Sequence, residues 1–393
     1  MNLFSFKNKP YLSFVFDIRD NSFSIAVTKL DIGKKPEIIY CQNFKIDNNN
    51  YVLDKDYKKS FIKTLDVAIL SVRKNLVKIG NKTPIKKYFF FIGSPWSVSQ
   101  SKMIKITKEK DFIIDSKFLE KIILTEENKI EKDIENKSNG MDWKMIEEKI
   151  IQSKLNGYKI EKIFNKKTKD IEIEVLVSFA PQDLLNKLSL TADNKNIKQQ
   201  VNSCILSSFS FLRDLFVNKN NFLYIDVGEF ITDVCVVRDD VVFGIISFPF
   251  GEKNIIQHIS KTTSLSEDIV LSYINMECND KCNKKDYNKM ENLLNIGISK
   301  WFEKFNETII KICSENDLPR NIFILPNTDL GRIFAERIRK NKDLELFKKF
   351  GIDTQTTIIE EKVLDDFIIN GKVFRREPYI KMDIIFLNKN FNN

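Results

Sequence analysis

The chain has 393 residues, 42% hydrophobic and 30% charged, with a net charge of +9. That length supports two or three domains with cores of their own, and the composition is that of a globular protein. No apolar run approaches the roughly 18–20 residues of a membrane-spanning helix. No apolar segment with a small-residue cleavage site opens the chain, so neither a transmembrane segment nor a secretory leader is expected.

The basic residues are interspersed with acidic ones, and the densest run, Lys166-Lys167-Thr168-Lys169, falls in an expected hairpin turn without interleaved aromatics. Nucleic acid is therefore not an expected partner. Of the six cysteines, Cys278 and Cys282 form a C-x3-C pair, but no second pair or histidine cluster accompanies it. A structural zinc site needs about four such ligands, so none is expected. The single histidine, His258, lies on a lysine-flanked helical stretch and is read as structural.

In chain order, a strand runs from Leu12 to Asp17, followed by the polar turn Arg19-Asp20-Asn21 and an alternating strand to Val27. A third strand spans Glu37 to Ile46. Phe61, Leu65, Ala68, Val72 and Leu76 then recur at helical spacing between Tyr57 and Ile79, and Gly80 stops the helix. A strand from Tyr88 to Ile92 follows.

A different block spans roughly Ser94 to Ser189. It holds a short strand (Met103 to Ile106), a helix (Ser116 to about Ile134) and a long strand (Ile146 to Leu155). The Asn156-Gly157 pair suits a hairpin turn, with further strands at Tyr158 to Ile163 and Asp170 to Phe179. A helix is expected from Ile197 to Phe216. A second strand unit follows, with Phe222 to Asp226, a turn through Gly228, Thr232 to Val237, the Arg238-Asp239-Asp240 turn, and Val241 to Phe248. Helices at Glu267 to Met276 and Tyr287 to Cys313, a strand at Asn321 to Leu325, and an alternating, strand-like stretch from Tyr379 to Asn388 complete the chain.

The units beginning at Leu12 and Phe222 share one pattern: an apolar strand ending in Asp, a short polar turn, a second strand and a third. Their recurrence about half a chain apart points to a duplicated α/β fold with helix-covered sheets and a small α+β block inserted between the halves. Asp17 and Asp226 end matching strands and would face each other across a cleft. Phosphate binding uses close backbone amides in glycine-bearing turns, and Mg²⁺ uses carboxylates. Asp226, Gly228, Thr232 and Asp233 have those chemistries, as does the Asp17, Asp20 and Asn21 end of the first unit.

These two units resemble the phosphate-1 and phosphate-2 motifs of the actin-like ATPase superfamily, and the inserted block resembles the SHS2 module of its FtsA/PilM branch. Ser247 to Gly251 is similar to the stretch leading into the next helix of that branch. The resemblance covers essentially the whole chain. It implies a two-lobed actin-like (ribonuclease-H-like) fold, with residues 1–93 and 190–221 in the first lobe, 94–189 in the inserted SHS2-like module and 222–393 in the second lobe. It implies ATP and Mg²⁺ at Asp17, Asp20, Asn21, Asp226, Gly228, Thr232, Asp233, Gly251 and Glu267, with Asp17 and Asp226 bracketing the metal directly or through water.

Several positions depart from the family pattern. Arg19 stands where the phosphate-1 glycine is expected, and Ser24 where a lysine is usual. Ser266-Glu267-Asp268 keeps only the glutamate of the helix motif. The expected Gly-Gly of the adenosine motif is replaced by Pro326-Asn327-Thr328-Asp329. Each loss of a charge-assisted contact is worth about 1.5–3 kcal/mol, so weak or absent nucleotide binding is expected.

The resemblance further implies a cytoplasmic protein, peripheral to the inner face of the membrane, that organises pilus or division proteins and is capable of self-association. The apolar-basic start, Met1 to Lys9, is similar to that of PilM proteins. The alternating stretch Tyr379 to Asn388 is not expected to form the amphipathic membrane helix of FtsA proteins. A sugar- or acetate-kinase-like phosphotransferase and an ATP-driven filament former remain as alternative readings.

Overall fold

The computed structural model describes residues 11–46, 55–78, 83, 85–137, 141–191, 197–278, 284–313, 318–326, 328–340, 354–373 and 377–392. Met1 to Lys9, Gly80, Cys282 and Asn327, named above for sequence features, lie outside them.

The first sheet is built on β1 (Tyr11–Ile18), β2 (Ser22–Leu30), β3 (Glu37–Lys45), β4 (Ile85–Ile92) and β9 (Lys198–Ser203), with β15 (Ile369–Val373) at its edge, in the order β15-β3-β2-β1-β4-β9. Every residue of β1 is buried, as expected of a strand with covered faces. It pairs antiparallel with β2 and parallel with β4. The second sheet has β10 (Phe222–Val227), β11 (Thr232–Arg238), β12 (Val241–Phe248), β13 (Asn321–Ile324) and β14 (Gln355–Ile358), in the order β12-β11-β10-β13-β14. Here β10 pairs antiparallel with β11 and parallel with β13. The two sheets therefore repeat one arrangement, a three-stranded meander followed by a parallel neighbour of its first strand.

On the outer face of the first sheet lies α1 (Lys55–Lys78), which buries Phe61, Leu65, Ala68, Val72 and Leu76 as its spacing dictates. Between the sheets sit α4 (Cys204–Leu215) and the C-terminal helix α10 (Pro378–Asn392). Val15 and Phe89 of one sheet share a core with Tyr224 and Phe323 of the other through these two helices. The second sheet's outer face is covered by α5 (Glu252–Thr263), α6 (Glu267–Cys278), α7 (Lys284–Ile309) and α8 (Asp329–Lys340). The short α9 (Glu361–Asp365) precedes β15.

The block between the halves has its own sheet, β5 (Val98–Ile113), β8 (Lys167–Pro181), β6 (Trp143–Leu155) and β7 (Tyr158–Lys159), in the order β5-β8-β6-β7. With α2 (Ser116–Lys137) it encloses a separate core of Ile104, Leu119, Ile123, Ile171 and Val175, and α3 (Gln182–Ser189) leads back to the first lobe. Its tip reaches the second lobe, where Gln152 Nε2 donates to the Asp239 carbonyl at 3.0 Å and Lys159 pairs with Asp240 at 3.5 Å.

Four sequence expectations are corrected. The helix expected from Ile197 begins only at Cys204; residues 198–203 form β9, which pairs parallel with β4, so sheet pairing overrides the local helix propensity of Lys198 to Val201. Ser203 marks the true start, its hydroxyl accepting from the Leu206 amide at 3.3 Å. The strand-like stretch Tyr379 to Asn388 is helix α10, opened by Pro378 at its first position. It is buried nearly all round, which leaves no polar face to display a 3.6-residue period. The strand expected to Ile163 ends at Lys159. Lys167 to Lys169 open β8, while the preceding Asn165 takes the left-handed turn conformation at φ 59°.

Candidate functional site

The cleft is built where β1 and β10 end. Asp17 and Asp226 are both buried, and the Arg19 guanidinium lies between them. Its Nε donates to Asp17 Oδ1 at 2.8 Å and its Nη1 donates to Asp226 Oδ2. Tyr379, brought in by α10, donates its hydroxyl to Asp226 Oδ1, and the Arg19 guanidinium stacks over the Tyr379 ring at 3.7 Å. Burial works against the charge on Arg19, but Asp17 and Asp226 outweigh it and hold the guanidinium charged. Burial pushes the Asp17 carboxyl up, against the lowering effect of Arg19.

Beyond Asp17, Asp383 of α10 accepts from Ser207 at 2.6 Å, and the Cys204 thiol donates to Asp17 Oδ1 at 3.5 Å. Donor atoms of Asp17, Cys204 and Asp383 lie within 4.8 Å of one another. Burial pushes the Cys204 thiol well above its ordinary range, so without a metal the sulfur stays a thiol rather than a thiolate nucleophile. Burial pushes the Asp383 carboxyl well up, while Arg19 supplies a positive charge beside this group and draws that carboxyl down.

The two turns are joined directly. Asp20 projects from the β1–β2 turn into the β10–β11 turn, where its Oδ2 accepts from the Phe230 amide at 2.6 Å and the Ile231 amide at 3.1 Å. The Glu229 amide contributes as well. Successive amides converging on one oxygen form an anion cradle, and here the anion is the protein's own carboxylate. Burial raises Asp20 to about 6 in spite of these amides. Tyr57 donates its hydroxyl to the Asp20 carbonyl, and the Asn21 amide donates to Asp20 Oδ1 at 3.0 Å.

The glycines of the second turn serve backbone packing. A Cβ at Gly228 would stand 2.9 Å from Asp20 Oδ2 and from the Ile231 carbonyl; one at Gly251 would stand 2.4 Å from the Gly228 carbonyl. Gly251 thereby lets the start of α5 close on the turn, with the Glu252 and Lys253 amides donating to the Gly228 and Glu229 carbonyls at 2.9 and 2.8 Å. Gly251→Ala is expected to lower stability by about 2–3 kcal/mol, because backbone rather than a movable side chain must give way. A melting temperature within 1 °C of the parent would contradict this packing.

Thr232 is occupied too. Its hydroxyl donates to the Phe250 carbonyl at 2.7 Å and accepts from Trp301 Nε1 at 3.0 Å. Asp233, paired across the sheet with Asp226, lines a cavity of about 200 Å³ together with Ser94, Ser97, Ser208, Asp226 and Ser247. It accepts from Ser247, and burial raises it to about 6. The structure thus brings together Asp17, Asp20, Asn21, Asp226, Gly228, Thr232, Asp233 and Gly251. Glu267 opens α6, and no described hydrogen bond or ion pair joins it to that group.

Where the adenosine glycines were expected, Thr328 donates to Glu252 at 2.7 Å and accepts from the Gly331 amide at 2.8 Å, capping α8. Ser24 donates to Glu377 at 2.8 Å, tying β2 to the start of α10. Sequence reasoning missed Tyr379, Asp383, Cys204, Ser207 and Glu252. The first two fell in a stretch read as a strand, and none of the five lies in a recognisable motif.

In this arrangement the residues do not fit a nucleotide phosphate with Mg²⁺. The amides that would hold the phosphate hold Asp20, and the carboxylates that would hold the metal hold Arg19.

No family model matches the chain, and no curated protein is similar to it in sequence. Its structure is similar to PilM in the PilM-PilN type IV pilus biogenesis complex, at 11% identity and a TM-score of 0.55, covering 95% of this chain and 97% of that one. A Bacteroides thetaiotaomicron protein with an actin-like ATPase fold and unknown function is similar over 98% of this chain and 99% of its own, at 10% identity and a TM-score of 0.42. The ethanolamine utilization protein EutJ from Carboxydothermus hydrogenoformans is similar over 97% and 91%, at 9% identity and a TM-score of 0.44. The chain has a two-lobed actin-like fold.

Proposed function

We propose that this chain is an actin-fold scaffold that organises a membrane-associated assembly and does not turn over ATP. The observation that carries this reading is the double occupation of the cleft, by Asp20 in the amide cradle and by Arg19 between Asp17 and Asp226. A buried ion pair with its hydrogen bonds satisfied resists opening, because breaking it strands charges in a low-dielectric site. The lobes are joined through that cleft and do not need a nucleotide to hold them closed.

The likeness to PilM in its complex with PilN favours pilus assembly over cell division as the setting. In that setting the protein lies on the cytoplasmic face of the inner membrane, and no helix among the described residues is long and apolar enough to cross it. The block 94–189, with its own sheet and core, is proposed as a distinct module that carries partner contacts.

Titration with a fluorescent ATP analogue and Mg²⁺ tests the central point. No saturation is expected up to millimolar nucleotide. A micromolar dissociation constant that Asp226→Asn abolishes would refute the locked cleft.

A further inference from the structure

The outward face of α1 carries an unusual line of side chains. Val67, Leu70 and Val77 are 59%, 67% and 76% exposed on a helix whose opposite face is fully committed to the first sheet. Among the described residues, α2 and α6 each expose one large apolar side chain, and to a smaller degree, Leu124 at 56% and Ile269 at 45%. The line on α1 is Lys63, Val67, Leu70, Lys74 and Val77, stepping by four, three, four and three, the seam of a helix that pairs with another helix. It extends about 21 Å. Lys59 and Lys78 are also exposed at its ends, and Asp66 is the one exposed acid among the residues 57–78 whose burial is described. None of the ion pairs among the described residues involves Lys59, Lys63, Lys74 or Lys78.

The placement of the lysines decides the occupant. On a helix that lies in a lipid surface, lysines flank the apolar face and reach outward to the headgroups. Here Lys63 and Lys74 lie within the apolar line itself, where insertion would carry them toward hydrocarbon. A second copy of the chain would bring four lysines against four with only Asp66 to offset them. A helix with carboxylates opposite Lys63 and Lys74, and apolar side chains opposite Val67, Leu70 and Val77, satisfies every position.

We propose that the outer seam of α1 docks an acidic amphipathic helix of a partner protein. The seam lies on the outer face of the first lobe and is independent of the cleft, so nucleotide titrations and docking measurements fail or succeed separately.

The probe is a fluorescein-labelled synthetic helix roughly three heptads long, with leucine at its seam positions and glutamate opposite Lys63 and Lys74. Anisotropy is expected to show saturable binding that weakens with salt. Leu70→Glu should weaken it about tenfold or more, with an unchanged melting temperature because the side chain is exposed. The double variant Lys63→Glu, Lys74→Glu should lose the acidic peptide and bind the matching peptide with lysines in place of glutamates. The inference is overturned by absence of saturable binding, by binding insensitive to Leu70→Glu, or by equal binding of both peptides to the parent. Seam-dependent binding of phosphatidylglycerol vesicles without peptide binding would overturn it too, in favour of a lipid surface.

Discussion

Arg19→Met is expected to destabilise the protein by about 3–5 kcal/mol, more than any exposed substitution. The guanidinium is 13% exposed and pairs with carboxylates from both lobes. Methionine replaces its apolar stem but not the guanidinium, and leaves Asp17 and Asp226 facing each other without a counter-charge, with Asp383 nearby. At about 1.2 °C per kcal/mol for a chain of 393 residues, the melting temperature should fall by roughly 4–6 °C. The loss should be conditional. Adding Asp226→Asn to Arg19→Met removes one of the stranded charges and should recover part of the stability, whereas Asp226→Asn alone weakens the Arg19 pair and the Tyr379 bond. Thermal unfolding of the four proteins in that cycle measures the coupling. A drop below about 1 kcal/mol for Arg19→Met, or strictly additive effects, would mean that Arg19 is not the link between the lobes.

This pair explains why the fold was more legible than the site. The strands around Asp17 and Asp226 announce themselves through continuous β-branched and aromatic runs, because both faces of β1 and β10 are covered. Their repetition half a chain apart then fixes the duplication. The α1 helix was equally plain from its spacing. What escaped were features decided by tertiary partners. Lys198 to Ser203 becomes a strand because β4 has a free edge beside it, and α10 hides its period because nearly every side is buried.

The site lay between these extremes. Arg19 was recognisable as a departure from a glycine, but its partner Asp226 is 207 residues away in sequence. Sequence reasoning marked Arg19 as a missing glycine; it could not offer the carboxylate that the fold supplies. Asp20 is a similar case. As a turn residue it looked like part of an anion site, and in the structure it is the anion, held by amides 210 and 211 residues further on. Glu252 and Thr328 meet across 76 residues in the place where two glycines were sought. Such substitutions of internal groups for a ligand leave the backbone outline intact and so preserve the motif while changing its chemistry.

The pH dependence of stability follows from the same burial. Burial raises Asp20 and Asp233 to about 6, Glu147 and Glu377 to about 7, and Glu252 to about 8. In the unfolded chain these groups titrate in the ordinary carboxylate range, near 4. The folded state therefore holds protons between pH 4 and 8 that the unfolded state has released, so unfolding becomes easier as pH rises. The contribution is fully present below about pH 4 and is lost as pH rises from there, completely by about pH 6 for Asp20 and Asp233, 7 for Glu147 and Glu377, and 8 for Glu252.

Glu252 sets the upper end of that window. Buried at the start of α5, it accepts from Thr328 and is raised further by Glu229 and Asp20. Its displacement corresponds to at most about 5 kcal/mol lost by alkaline pH. Asp365 and Glu172, lowered in the folded state, act in the opposite sense, but their effect is complete once pH exceeds the ordinary carboxylate range. The melting temperature should therefore fall by several degrees from pH 5.5 to pH 8.5. Glu252→Gln keeps an acceptor for Thr328 and carries no titrating proton, so it should flatten the curve between pH 6.5 and 8.5 while changing stability little near pH 5.5. A melting temperature that is level or rises over this range in the parent would mean that these carboxylates are ionised at their buried positions.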